Sequence, residues 1–137
     1  REGFGRYDFP EGSSRQGILG HVAILAANSH ASSTSPTLRG IFIRKVLLCG
    51  SIPPPPVGVD TSIPDPQPGA VTLRQRVARH LEDTSCAGCH ALMDPLGLGL
   101  ENFDALGRWR EEESGMPIDA SARNQAALPK SESASTR

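Results

Sequence analysis

Hydrophobic residues early in the chain recur at helical spacing. Apolar side chains at positions i, i+1, i+4, i+7 and i+8 form one face, made of Ile18, Leu19, Val22, Leu25 and Ala26. This spacing predicts a helix that ends near Asn28. After a polar loop, Ser35 and Pro36 supply an N-cap and a first-turn proline, so a second helix is expected to begin there.

The second helix is expected to bury Leu38, Ile41, Phe42, Lys45, Leu48 and Cys49 on one face. Gly50 is its predicted stop, because glycine commonly follows a helix C-terminus. Cys49 is therefore predicted to be a buried thiol, with a disulfide to another chain as the alternative.

A proline-rich segment follows this helical hairpin. Residues 53–70 begin with four consecutive prolines, which lack the backbone N–H and favour extended polyproline II, so a stiff connector is predicted. A third helix comes next, with Thr72 and Gln75 as a capping box. Its apolar residues recur every four positions, at Leu73, Val77 and Leu81.

Beyond the third helix the pattern becomes irregular. Residues 82–85 predict a polar loop, and Asp94 followed by Pro95 should end any helical turn begun before it. Residues 101–106 predict a short helix that Gly107 stops, and no segment shows a strand pattern. The predicted fold is mostly α, with long irregular and proline-rich connections.

The length and composition narrow the choice of function. The chain has 137 residues, 37% of them hydrophobic, which fits one domain of ordinary size. The formal net charge of -1 lacks the basic excess of a nucleic-acid binder, and no run approaches the roughly 20 apolar residues that span a bilayer. Only 4% of the residues are aromatic, so the core must be filled by aliphatic side chains or by a group that is not protein.

Two of the three cysteines lie in the run Cys-Ala-Gly-Cys-His at residues 86–90. A dithiol redox pair usually accompanies strand–helix–strand alternation, which the pattern lacks. A structural zinc site needs four ligands, and no second cysteine pair follows, so a zinc-binding module would be irregular. The C-x-x-C-H spacing is the signature of c-type haem attachment.

Covalent haem needs two thiols one helical turn apart, which reach the vinyl groups on one porphyrin edge, and a histidine that reaches the iron. Cys86, Cys89 and His90 meet each requirement. A haem would also supply the large apolar body that the low aromatic content leaves missing. We therefore predict one covalent haem c per chain, with His90 as the proximal iron ligand.

The cysteine motif stands in a longer recognisable context. Residues 86–110, in which Met-Asp-Pro-Leu-Gly, Leu-Glu-Asn-Phe-Asp and Gly-Arg-Trp-Arg follow the motif, resemble a domain of unknown function from large secreted bacterial c-type cytochrome-like proteins. Residues 34–40, 53–56 and 73–80 share the resemblance, which spans residues 17–119. It implies haem c in a small helical cytochrome c-like domain, located in the periplasm or outside the cell.

The chain begins at Arg1 without an initiator methionine or a signal peptide. Because haem is joined to such motifs outside the cytoplasm, we expect a fragment of a longer exported chain. The resemblance supports this, since the domain is usually one module near the C-terminal end. The expected segments are an irregular start 1–16, a helical hairpin 17–52, the connector 53–70, a haem c-binding segment 71–119 and a flexible tail 120–137.

The sixth iron ligand decides between electron transfer and chemistry at an open iron site. Met116 is the first candidate, because enough chain separates it from His90 to cross to the other face of the ring. A surface methionine is the alternative. His80, at the end of the third helix, is the second candidate, and it could instead bond a propionate or cap that helix.

Arg108, Trp109 and Arg110 form a candidate cofactor-binding trio. Two guanidinium groups and an indole N–H suit haem propionates. In the alternative interpretation, the two arginines pair with the glutamates 111–113 on a solvated face. Three acidic residues after the motif are predicted to be turn and cap residues rather than an acid–base pair: Asp94, Glu101 and Asp104.

These observations predict a mono-haem c-type cytochrome module for extracytoplasmic single-electron transfer, with other redox proteins or haem domains as partners. The first alternative is a peroxidase-like or other oxidoreductase domain with an open distal site. The second is a module in which the haem is mainly a covalent staple within a larger assembly.

Overall fold

The computed structural model describes residues 3–55, 57–58, 72–82 and 84–122. These residues form α1 (Val22–Ala27), α2 (Pro36–Phe42), α3 (Leu73–His80), α4 (Thr84–His90) and α5 (Asp94–Leu98). A 3-10 turn, Ile18–Gly20, precedes α1, and a π-helical segment, Ile43–Leu47, continues α2. Strands β1 (Glu112–Glu113) and β2 (Met116–Pro117) form an antiparallel hairpin. The prediction of a mostly helical domain is confirmed at this level.

The predicted first helix is divided in two at His21. This residue has an extended backbone, with φ -72° and ψ 128°, and its Nδ1 accepts the backbone N–H of Ala23 at 3.3 Å. The cap ends the 3-10 turn and begins α1. Leu25 is fully buried, whereas Ile18 and Val22 of the predicted buried face are exposed.

The start of the second helix agrees with the prediction, but its buried face does not. Ser35 is the N-cap, and its side-chain oxygen accepts the backbone N–H of Leu38 at 3.2 Å. The buried positions are Pro36, Arg39, Gly40 and Ile43. Leu38, Lys45, Leu48 and Cys49 are exposed. The face differs because α2 meets α5 through backbone contact, and the buried Arg39 of α2 meets the chain that follows α5. Large apolar side chains are not needed for either contact.

Cys49 is not the buried thiol that the pattern predicts. Its side chain is exposed, and its backbone has φ 53°, in the left-handed region. The Gly50 N–H donates to the Arg44 carbonyl at 2.7 Å, which closes the end of the π-helical segment. The cysteine thus takes the left-handed terminal position that glycine usually occupies.

Two glycines allow α2 and α5 to touch backbone to backbone. A Cβ atom built on Gly40 would overlap the Met93 carbonyl, and one built on Gly97 would overlap the Pro36 carbonyl. The contact is therefore made at both ends of the interface, and any side chain at either position would separate the helices.

The third helix forms as predicted. The Thr72 N–H donates to Gln75 Oε1 at 3.1 Å, and the Gln75 N–H donates to Thr72 Oγ1 at 3.3 Å, which completes the capping box. Leu73 and Val77 are buried. Arg74 is also buried, because its guanidinium donates to the carbonyls of Asp119 and Ser121 and fastens the following chain to α3.

The region around the cysteine motif is more helical than the prediction. The polar residues expected to form a loop at 82–85 include the first turn of α4, which begins at Thr84. Helix α4 ends at His90, four residues before the expected break at Asp94, and Pro95 lies in the first turn of α5. This position suits proline, since its missing N–H has no partner within the first turn of a helix.

The short helix predicted for residues 101–106 is absent, and turns organised by Asp104 take its place. The Asp104 carboxylate accepts the backbone N–H groups of Leu106 and Arg108 at 2.9 and 2.8 Å, and Arg108 Nε at 2.9 Å. Partial burial raises the pKa of Asp104, but these hydrogen bonds outweigh it and leave the pKa below its ordinary value. The prediction of Asp104 as a turn residue is confirmed.

The sequence pattern also missed the hairpin. Ser114 and Gly115 connect its strands with φ values of 54° and 77°, which is the geometry of a tight two-residue turn. Strands of two residues are too short to show alternation. The side chain of Glu113 accepts the Leu73 N–H at 2.8 Å and so joins the hairpin to the start of α3.

None of the helices among these residues is long and apolar enough to cross a membrane. Most of the predicted proline-rich connector, at position 56 and from 59 to 70, lies outside the described residues, as does the tail from position 123 onward.

We expect Gly40→Ala and Gly97→Ala each to lower the free energy of unfolding by about 3 kcal/mol or more, because a methyl group would force the two backbones apart. Urea unfolding followed by circular dichroism measures the effect. Gly88→Ala is the matched control, since a Cβ there meets nothing within 4 Å and alanine favours a helix by about 1 kcal/mol. Wild-type stability in Gly40→Ala would contradict the close contact.

Candidate functional site

The cysteine motif lies on a single helix. Cys86 and Cys89 are three residues apart on α4, so their side chains are neighbours on one face, about one turn apart. Both are partly exposed, and neither is in a disulfide. A Cβ built on Gly88, between them in sequence, would meet no atom of the described structure within 4 Å. The helix surface at Gly88 itself is therefore open among the described residues.

His90 ends α4, and a carboxylate from the next helix fixes its ring. His90 Nδ1 lies 2.8 Å from Asp94 Oδ2. If the carboxylate is ionised and the ring is neutral, Nδ1 carries the ring hydrogen, because an ionised carboxylate only accepts hydrogen bonds, and the lone pair then lies on Nε2. This is the tautomer in which a histidine binds a metal through Nε2 while its other nitrogen donates to a carboxylate.

A third residue orients that carboxylate. Thr37, in the first turn of α2, donates its hydroxyl to Asp94 Oδ1 at 2.9 Å. Asp94 is only 1% exposed, and its two oxygens contact two different helices. The close backbone approach of α2 and α5 at Gly40 and Gly97 brings these partners within reach.

The interpretation of Asp94 as a simple turn residue missed this role. Asp94 lies four residues after His90, and residues at this spacing are neighbours on a helix, so the spacing could have indicated the contact between the two side chains. Asp94 also stands in the first turn of α5, where a negative charge is favourable. The local sequence does not indicate the hydrogen bond from Thr37, because 57 positions separate this residue from Asp94.

A buried arginine lies beneath the chain that follows α5. Arg39 is 1% exposed. Its guanidinium donates at 2.8 to 3.1 Å to the carbonyl oxygens of Leu100, Phe103 and Asp104 and to Ser29 Oγ. Burial lowers the pKa of Arg39, against the attraction of Glu101, whose Oε1 lies 3.6 Å from its Nη1.

Glu101 belongs to the same buried cluster. The expected role as a turn or cap residue does not describe these buried contacts. It is 3% exposed, and its Oε2 accepts the Thr34 hydroxyl at 2.7 Å and Arg110 Nη2 at 3.3 Å. Its Oε1 and Arg39 Nε are buried without a hydrogen-bond partner among the described residues. Burial raises the pKa of Glu101, opposed by the Thr34 hydrogen bond and by the charges of Arg39 and Arg110.

The three residues of the candidate propionate site have separate partners. Arg108 is exposed and pairs with Asp104. Arg110 is partly buried and pairs with Glu101, and its Nη1 lies 3.8 Å from Glu113 Oε1.

Trp109 is half-exposed and packs edge-to-face on Phe103, with ring centroids 5.2 Å apart. Of the ion pairs expected with residues 111–113, the one that involves Glu113 is formed in the described structure.

The two candidate sixth ligands are placed unequally. Met116 lies in β2 and is 43% exposed, so its thioether is not committed to the core. His80 is the last residue of α3, and its side chain lies outside the described part of the structure. Among the side chains that are described, no three His, Cys, Asp or Glu residues converge into a metal-binding group.

The sequence of residues 15–113 matches the model of the PSCyt3 family, described as a protein of unknown function (DUF1588). The chain belongs to this family. Searches of the curated proteins and of the solved structures give no match. The predicted membership of a domain family of unknown function is thereby confirmed, and the PSCyt3 match includes the cysteine motif and its Asp94 and Thr37 supports.

We expect the contribution of Glu101 to the stability of the protein to fall as the pH rises from 4.5, the ordinary pKa of glutamate, through the higher pKa of Glu101 in the folded state. The folded state holds the Glu101 proton more tightly than the unfolded state, so this contribution is present at low pH and lost as the pH rises. Urea unfolding between pH 4 and pH 7, roughly the range of carboxyl titration, measures the slope.

Glu101→Gln should lose that part of the slope. Glu112→Gln, at an exposed position of β1, is the matched control and should keep it. A stability difference between wild type and Glu101→Gln that grows in favour of wild type with rising pH would show a lowered pKa and contradict the assignment.

Proposed function

We propose that the chain is a mono-haem c-type cytochrome module that transfers single electrons outside the cytoplasm. One observation carries the proposal: two thiols one turn apart on α4 precede a histidine whose Nδ1 is held by a carboxylate. This set of donors fits covalent haem, because it offers two sulfur atoms to one porphyrin edge and one Nε2 lone pair to the iron.

The attachment needs no oxidant and no leaving group. Attachment of haem here would add the S–H bond of each cysteine across a vinyl double bond, with the sulfur on one vinyl carbon and the hydrogen on the other. Cys86 and Cys89 are suited to this step because both are partly exposed and outside any disulfide. When bound, a haem supplies reversible one-electron oxidation and reduction of its iron.

The same geometry supports haem over the two competing interpretations of the cysteine pair. A structural zinc site requires converging donors, and the described side chains contain no such group. A dithiol redox site accounts for the thiols but leaves His90, Asp94 and Thr37 without a role. The haem interpretation uses all five side chains.

The sixth ligand and the redox partner are the remaining parts of the proposal. Met116 is our first candidate for the sixth ligand, because its side chain is half-exposed on a hairpin tied to α3 through Glu113. His80 is the second. The near-neutral charge points to a redox partner chosen by local patches rather than by the overall field. The partner class is another redox protein or haem domain, within or beside a longer exported chain.

We expect export of the chain in a bacterial host with c-type cytochrome maturation machinery to give one covalently bound haem per molecule. Mass spectrometry of the denatured protein and haem staining on a denaturing gel measure it. The double variant Cys86→Ser with Cys89→Ser should lose all covalent haem, whereas Cys49→Ser, at an exposed cysteine outside the motif, should retain it. Wild-type protein without covalent haem, or with one bound zinc instead, would overturn the proposed function.

The sixth ligand is tested in the haem-loaded protein. We expect a low-spin spectrum with slow carbon monoxide binding in the wild type, and a high-spin spectrum with fast binding in Met116→Leu, because that change opens the sixth position. Met93→Leu, at a buried methionine, is the control and should remain low-spin. Loss of the low-spin spectrum in His80→Asn alone would assign His80 instead, and fast binding by the wild type would favour the oxidoreductase with an open site.

A further inference from the structure

Asp94 has an arrangement that neither helix capping nor core packing requires. It lies in the first turn of α5, where the N-cap residue is Met93 and makes no side-chain cap. The Asp94 oxygens are instead engaged by two other helices, with Oδ2 on His90 Nδ1 of α4 and Oδ1 on the Thr37 hydroxyl of α2. A nearly fully buried carboxylate thus faces the histidine ring.

This arrangement changes how strongly His90 donates electron density to a bound metal. A carboxylate that accepts the Nδ1–H bond draws the hydrogen toward itself and leaves more electron density on the imidazole, so Nε2 becomes a stronger donor. A stronger donor stabilises the more positively charged state of a bound metal. In a low-dielectric interior the effect is larger than in water, because the charge of the carboxylate is poorly screened.

Thr37 acts in the opposite direction on the same carboxylate. Its hydroxyl hydrogen bond takes up part of the negative charge of Asp94, so the carboxylate accepts less strongly from His90. The position of Thr37 is fixed by the contact of α2 with α5, where Gly97 meets the Pro36 carbonyl one residue before it. The packing of α2 on α5 therefore holds the Thr37 hydroxyl, a donor, beside the Asp94 carboxylate that accepts from His90.

We propose that Asp94 is a positioning residue that lowers the reduction potential of the haem through His90, and that Thr37 limits this effect. The inference rests on the proposed function, because it concerns the iron ligand of that site. It adds a direction that the cysteine motif alone does not give: the oxidised state is favoured relative to a site in which a neutral group accepts from the histidine.

The test is a spectroelectrochemical titration of the haem-loaded, purified protein. Asp94→Asn removes the charge while keeping the size of the side chain. We expect it to shift the equilibrium ratio of reduced to oxidised protein at least about tenfold toward the reduced form, or about 59 mV for one electron. Asp8→Asn, which removes an equal charge from the exposed N-terminal segment, should leave the potential at the wild-type value.

A second pair of variants keeps the test decisive if Asp94→Asn fails to fold. Thr37→Val removes the hydroxyl at nearly constant size and should shift the potential in the opposite direction, toward the oxidised form. Thr37→Ser keeps the hydroxyl and should restore the wild-type potential. Circular dichroism and the haem content of each variant separate these shifts from simple loss of structure.

Opposite shifts for Asp94→Asn and Thr37→Val, with wild-type values for Thr37→Ser, support the inference. An unchanged potential in Asp94→Asn, or shifts of the same sign at both positions, would overturn it while the proposed cytochrome function stands. A wild-type chain that carries no covalent haem would contradict the proposed function itself. The haem content of the wild type is therefore measured before any variant is made.

Discussion

The burial of one arginine is the constraint on which this small domain depends. Arg39 is enclosed by the chain that follows α5, and its guanidinium can be buried only because carbonyl oxygens surround it. An uncompensated buried charge would cost several kcal/mol, roughly the stability of a small domain. Residues 100–104 must therefore adopt turns that aim their carbonyls inward, which an ordinary helix there would not allow.

The two glycine contacts and the buried arginine together fix α5 and the chain after it against α2. Arg39 fixes the chain after α5, while Gly40 and Gly97 fix α5 itself against α2. Backbone contact of this kind leaves little freedom for one helix to slide along the other. As a result, polar atoms at the start of both helices meet at hydrogen-bond distance, and the histidine at the end of α4 joins them.

The capping signals were predicted correctly from the sequence, whereas the contacts between distant elements were not. The N-cap of Ser35 and the capping box of Thr72 and Gln75 depend on neighbours within three residues, so the sequence shows them directly. The spacing of Cys86 and Cys89 is equally local. Arg39 is absent from the predicted buried face, because arginine is usually exposed and its carbonyl partners lie more than 60 positions away.

The missed features share a physical reason. Glycine carries no side chain, so the contact of Gly40 with the Met93 carbonyl leaves no hydrophobic pattern to read. Asp94 was recognised only through its neighbour Pro95, since a turn explains an Asp-Pro pair without any distant partner. The glycine contacts and the hydrogen bond between Thr37 and Asp94 depend on the packing of α2 on α5, which the sequence pattern does not show.

The pairing of Thr37 with Asp94 bears on how this chain can change over evolutionary time. The two residues are far apart in sequence, with the proline-rich connector between them, yet their separation is set by the packing of α2 on α5. The length of the connector is therefore not what determines their distance. We expect insertions and deletions there to change the length of chain between the two residues while leaving the same hydroxyl on the same carboxylate.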